Sequence, residues 1–167
     1  NTVLRVSKEY TYLDCDAMFT EDKTISCAVL TADCIPILVT ESSGRMIGCI
    51  HAGWRGLQSK IIENFFSKFK SISKSNFRVL LGPCISAQNY EVSDEIFCQF
   101  SNYRDRFRKN KSGNYYMDLR YIACDILNEL GITNVTISKS CTYNDNFYSY
   151  RKDKTTGRFV SLIWFKK

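Results

Sequence analysis

Apolar residues along the chain follow two kinds of pattern. Short runs rich in Val, Ile and Leu occupy residues 2–6, 25–30, 35–40, 46–50, 77–81, 133–138 and 158–165. Runs of this length and composition predict strands buried on at least one face. Leu57, Ile61, Ile62, Phe65, Phe66 and Phe69 instead recur at helical spacing and predict one helix with a single apolar stripe. Ser93-Asp94 is a start signal for a second helix over 92–100, and a third over 118–130 stops at Gly131. Strands, helices and strands again, with Glu41-Ser42-Ser43-Gly44 as a hairpin loop, predict a mixed α/β layered domain.

That hairpin is the most informative element for chemistry. Cys34 precedes its first strand in Thr31-Ala32-Asp33-Cys34-Ile35-Pro36, and His51 ends its second in His51-Ala52-Gly53-Trp54-Arg55-Gly56. Antiparallel pairing across a short loop brings both to the same end of the sheet. Two chemistries fit them. They could be thiolate and imidazole ligands of a zinc ion, or a thiol nucleophile with its base. Gly53 and Gly56 let the backbone approach a ligand and open a helix whose first amides favour anions. Arg55 adds a planar cation suited to phosphate. Further on, Phe147, Tyr148 and Tyr150 could wall a planar ring, and Arg151 and Arg158 flank a turn. Cys84 and Cys141 also stand at strand ends and are secondary candidates.

Composition narrows the class. The chain of 167 residues carries 23 Lys and Arg against 17 Asp and Glu, a net charge of +6. That excess suits a phosphate site without demanding nucleic acid. The densest basic stretch, Arg104 to Lys111, matches no nucleic-acid motif and reads as a solvated segment. No apolar run approaches the about 20 residues of a membrane span. There are eight cysteines and no CxxC, several cysteines lie in apolar runs, and no signal peptide opens the sequence. Reduced thiols in a cytoplasmic protein are expected.

Four blocks carry a resemblance: Ala32-Asp33-Cys34-x-Pro36; His51-Ala52-Gly53-Trp54-Arg55-Gly56; Gly82-Pro83-Cys84-Ile85 with Tyr90-Glu91-Val92; and Cys141-Thr142 with Tyr148-Ser149-Tyr150-Arg151 and Thr156-Gly157-Arg158. In order and spacing they resemble the multicopper polyphenol oxidase (laccase-domain) family, of the purine nucleoside phosphorylase type. Asp16-Ala17 with Thr20, and Asp118-Leu119, fit the same pattern. The resemblance implies one domain over 1–167, an α/β layered sandwich with a mixed sheet, similar to cysteine-hydrolase-like folds. It implies zinc-dependent phosphorolysis of adenosine, guanosine or methylthioadenosine, and deamination of adenosine. Copper-dependent phenol oxidation is the weaker reading, and a Cys-His thiol hydrolase or an inactive remnant are the alternatives. Purine nucleoside and phosphate are the implied partners, with no nucleic acid and no membrane.

The implied roles are Cys34 and His51 as metal ligands at the catalytic centre, and Gly53, Arg55, Gly56 and Arg151 as substrate or phosphate contacts. The family's third ligand is a histidine in a motif expected just upstream of Asn1. This chain contains one His and begins at Asn1, so an N-terminally truncated form is expected. Thiol titration under denaturing, non-reducing conditions should count close to eight. A count near zero would contradict the reduced state.

Overall fold

A computed structural model describes residues 2–8 and 14–166. In chain order the strands are β1 (Val3–Arg5), β2 (Ala17–Thr20), β3 (Cys27–Thr31), β4 (Ile35–Glu41), β5 (Ile47–Ala52), β6 (Phe77–Leu81), β7 (Glu91–Val92), β8 (Phe107–Lys109), β9 (Tyr115–Met117), β10 (Val135–Ile137) and β11 (Phe159–Ile163). The helices are α1 (Trp54–Gln58), α2 (Ile61–Phe66), α3 (Asp94–Cys98), α4 (Leu119–Glu129) and α5 (Tyr150–Asp153). Six strands form the main sheet in the order β1-β2-β5-β4-β6-β10. The outer pairs β1–β2 and β6–β10 are parallel and the inner pairs antiparallel, so the sheet is mixed as expected.

Alternation along the central strands sorts residues between two cores. Ile35, Ile37 and Val39 of β4, Ile50 and Ala52 of β5, and Phe77, Val79 and Leu81 of β6 join the main core, which also holds the buried sides of α1, α2 and α4. Ile47 and Cys49 point the other way and pack on Cys27 and Val29 of β3. There β3 pairs antiparallel with β11 as a two-stranded layer. The result is three layers: helices, mixed sheet, two-stranded sheet. Edge-to-face aromatic contacts tie the main core together, with ring centroids at 4.7 Å for Phe19–Phe69, 5.0 Å for Phe66–Phe77 and 5.2 Å for Phe65–Phe66.

The hairpin turn is built by Glu41. Its side chain is buried, and Oε1 accepts the Ser43 amide at 3.0 Å. The Ser43 hydroxyl donates to the other oxygen, and the Gly44 amide donates to the Glu41 carbonyl at 2.8 Å. Gly44 takes φ +69°, a conformation glycine adopts at little cost.

The stripe from Leu57 to Phe69 is not one helix. Lys60 adopts a left-handed conformation, φ 63° and ψ 40°, and separates α1 from α2, while Ser67–Phe69 tighten into a 3-10 turn. Leu57, Ile61, Ile62, Phe65, Phe66 and Phe69 are all buried nonetheless. The periodicity encoded which side faces the core, not continuity. α4 matches its expectation: the Asp118 carboxylate accepts the Tyr121 amide, and Gly131 follows at φ +79°.

Other boundaries moved. The run at 25–30 shifts to β3, and the run at 46–50 extends to Ala52 in β5. The basic stretch is more ordered than a solvated loop. Arg106 clasps Asp125 with two hydrogen bonds of 2.6 and 2.8 Å, and Arg108 and Lys109 of β8 lie over the rings of Tyr116 and Tyr115. Among the described residues no helix is long and apolar enough to cross a membrane. The expectation attached to Asn1 lies outside the described residues.

Gly48 has no room for a side chain. A Cβ there would stand 2.7 Å from the Phe65 ring and 2.8 Å from the Met18 carbonyl oxygen. Gly48→Ala should therefore destabilise the fold by about 1–3 kcal/mol, read from chemical denaturation. An unchanged midpoint would contradict this packing.

Candidate active site

The register of the hairpin decides where the two reactive residues point. Pro36 stands directly opposite His51, so both lie on one face of the sheet. Cys34 is two residues before Pro36 and shares that face. The next position across from it is Gly53, where a Cβ would meet Cys34 Sγ at 2.7 Å. The thiol thus occupies the space that the missing side chain leaves free. Gly56 has a packing reason of its own: a Cβ there would sit 3.3 Å from both the His51 carbonyl oxygen and Ile61.

Cys34 and His51 line one cavity of about 570 Å³. Its wall includes Gly53, Trp54, Arg55 and Gly56 from the β5–α1 junction, and Tyr90, Tyr150, Arg151, Lys154 and Arg158 from later segments. Asp16 and Asp33 complete it. Cys34, His51, Gly53, Arg55, Gly56 and Arg151, the residues given metal, substrate or phosphate roles in the sequence reading, therefore all reach this cavity. Cys84 and Cys141 do not line it. They form a parallel β-bridge with each other, Cys141 Sγ bonds Ser86 Oγ at 3.1 Å, and Arg120 caps the Ser140 carbonyl at 2.8 Å beside Cys84. Their work is to join the chain after β6 to the chain after β10.

Burial sets the protonation of the reactive pair. Desolvation, followed by the neighbouring Asp33 and Cys84, pushes the Cys34 thiol up to about 11. Desolvation also lowers His51 below its ordinary 6.5; Asp16 opposes the shift and Arg158 adds to it. At neutral pH the site presents a thiol and a neutral imidazole. A thiolate–imidazolium nucleophile pair needs the opposite shifts.

Four cations, Arg55, Arg151, Lys154 and Arg158, face two acids, Asp16 and Asp33, around the cavity. Arg151 is partly committed: Nη1 donates to the Glu91 carbonyl at 2.7 Å, and its guanidinium lies over the Tyr90 ring at 5.0 Å. Arg55 stacks on Trp54 at 4.6 Å and is exposed. α1 has five residues, so the amides of a long helix expected there are not available, and attraction for an anion falls mainly to these side chains. Of the aromatic wall expected at 147–150, Tyr150 lines the cavity, whereas Phe147 packs on Phe159 and Tyr148 covers Gly157.

Asp16, Asp33, Tyr90 and Lys154 are wall residues to which the sequence gave no role. The Asp16 carbonyl accepts the His51 amide at 2.8 Å, and its carboxylate accepts the Thr2 amide at 2.8 Å. A strand beside β5 could have been sought at Asp16-Ala17, but its four residues are too few for a periodic signal.

A thiol and an imidazole on one sheet face, inside a cationic cavity walled by tyrosines, make this cavity the candidate site of a mixed α/β domain. Residues 1–166 match the family described as multi-copper polyphenol oxidoreductase laccase, and the chain belongs to that family. It is 35% identical over 162 residues to a protein of Haemophilus influenzae named purine nucleoside phosphorylase, covering 92% of this chain and 66% of the relative. It is 34% identical over 168 residues to purine nucleoside phosphorylase YfiH of Escherichia coli K12, covering 97% and 69%. The crystal structure of Neisseria meningitidis protein NMB0706 superposes with a TM-score of 0.87 at 35% identity, over 92% of this chain and 66% of that one. The chain spans about two thirds of the length of these relatives.

In the metal-free chain, iodoacetamide at pH 8 should label exposed Cys98 well before Cys34, and the Cys34 rate should climb as pH rises through about 11. Equal rates at pH 8 would show an activated thiolate. Gly53→Ala should displace the Cys34 thiol and change that rate without unfolding the sheet, as read by circular dichroism.

Proposed function

We propose that the cavity is the catalytic site of a zinc-dependent purine nucleoside phosphorylase, with adenosine deamination as a further activity of the same centre. The observation that carries this reading is the shared face of Cys34 and His51 at the floor of a cationic cavity. A thiol and a neutral imidazole are suitable zinc ligands once the thiol is deprotonated. The described residues hold no group of three His, Cys, Asp or Glu side chains fit for a metal, so these two supply two positions. β1 runs parallel to β2 and Thr2 bonds Asp16 next to His51, so the start of β1 lies beside the pair. One histidine does not furnish the imidazoles that several copper ions take, so copper oxidation is the weaker reading.

Bound zinc would supply Lewis-acid polarisation or an activated water for deamination. The chain's own residues supply the rest. Cys34 and His51 fix the geometry of the centre. Arg55 and Arg158, both on the cavity wall, draw phosphate in and hold it against a sugar carbon that becomes cationic as the glycosidic bond breaks. Arg151 holds Tyr90 in place while it faces the ligand. Tyr90 and Tyr150 offer ring faces for a purine.

The thiol-hydrolase alternative has less support, since burial holds Cys34 protonated and His51 neutral. The test is a paired measurement of zinc content and adenosine phosphorolysis on the purified protein and on Cys34→Ser, His51→Ala and Arg55→Ala. Cys34→Ser and His51→Ala should lose zinc and turnover together. Arg55→Ala should keep zinc and raise KM for phosphate about tenfold, the loss of one charge-assisted contact. Turnover that survives Cys34→Ser and His51→Ala would sink the assignment.

A further inference from the structure

Asp33 lines the cavity beside Cys34. It is 7% exposed and holds φ 89°, a backbone region that favours glycine and that Asp tolerates better than most residues. Its carbonyl accepts the Ile85 amide at 3.0 Å. One carboxylate oxygen accepts the Thr142 hydroxyl at 2.6 Å, and the other accepts the Arg151 amide at 2.7 Å. Those partners are 109 and 118 residues away in sequence.

The second bond matters because of what α5 lacks. The helix has four residues and none of them is buried. Apolar packing of its own residues therefore does little to hold it, and its anchors are polar: the buried Ser149 cap, the Arg151 side chain on the Glu91 carbonyl, and Asp33. Its first-turn amides are closed by two oxygens: Ser149 Oγ takes Lys152 at 3.2 Å, and Asp33 takes Arg151. Yet α5 carries Tyr150 and Arg151 onto the cavity wall, with Lys154 just beyond its end. The residue after Asp33 is Cys34.

We propose that Asp33 is a positioning residue: its carboxylate fastens the α5 turn to the corner that bears Cys34, so that the donor side and the aromatic, cationic side of the cavity are held as one body. The importance of that coupling for turnover rests on reading the cavity as the substrate site. The coupling itself does not.

The test uses three substitutions. Asp33→Gly keeps the left-handed backbone and removes both bonds. Asp33→Asn can keep both, its oxygen accepting from Arg151 and its amide donating to Thr142 Oγ. Thr142→Val removes only the first bond. Amide hydrogen exchange at Arg151 and Lys152 should quicken about tenfold or more in Asp33→Gly. It should return toward the parent rate in Asp33→Asn and stay there in Thr142→Val, while β4 and β5 keep their protection in all three. If Asp33→Gly does not fold, Asp33→Ala, which also removes both carboxylate bonds, takes its place with the same expectation. Unchanged exchange at Arg151, or exchange that quickens equally in β4 and β5, would overturn the proposal. With an active preparation, Asp33→Gly should also raise KM for nucleoside about tenfold, with a smaller change in kcat, and Asp33→Asn should restore it. A parent protein that turns over no nucleoside would refute the phosphorylase reading and leave the exchange result to decide this one.

Discussion

The site depends on the register of one β-hairpin. Pairing of Pro36 with His51 puts a thiol and an imidazole on the same face, and a slip of one residue would send His51 into the main core instead. Two features hold that register. Buried Glu41 closes the turn with its own carboxylate, and the strict alternation of Ile35, Ile37, Val39 and Ile50 against the helices leaves no second way to bury the strands. Gly53 then admits the Cys34 sulfur where any side chain would collide with it. Backbone geometry, rather than side-chain contacts between the pair, makes the two available to one ligand.

What the sequence made legible follows from the range of each interaction. The hairpin, the stop of α4 at Gly131 and the sidedness of the Leu57–Phe69 stripe are set within a few residues or by simple alternation, and all three could be read. The break at Lys60 was invisible, because a left-handed lysine leaves no mark on an apolar pattern that stays in phase. β7, β8 and β9 have two or three residues each, too few for any period to show, and β8 carries Arg108 and Lys109, which resemble a solvated run. α5 could not be found at all: it has no buried face, and the carboxylate that closes its first turn is 118 residues distant. Asp16 and Tyr90 were missed as wall residues for the same reason, since topology and not local chemistry carries them there.

Electrostatics and burial act together on the reactive pair. Arg55, Lys154 and Arg158 around the mouth are exposed, whereas Cys34 and His51 sit deeper and are held uncharged by desolvation. The cavity thus separates a charged rim, which would select an anion, from a neutral floor, which would accept a metal ion. Tyr90 bridges the two levels under the Arg151 guanidinium, and its own hydroxyl is pushed well above the usual phenol range by burial.

The clasp between Asp33 and Arg151 also orders the assembly in time. Cys34 and His51 meet through a closed loop of under twenty residues, a local event with a small entropic cost. Arg151 reaches Asp33 only when nearly the whole chain has been gathered, and contacts of that sequence separation form slowly. By this reasoning the hairpin with Cys34, His51 and neighbouring Arg55 forms first, and the part of the wall carried by α5 joins it last. During synthesis, the thiol and imidazole emerge long before the segment that carries Tyr150 and Arg151, and for that interval they face whatever metals and oxidants surround the growing chain.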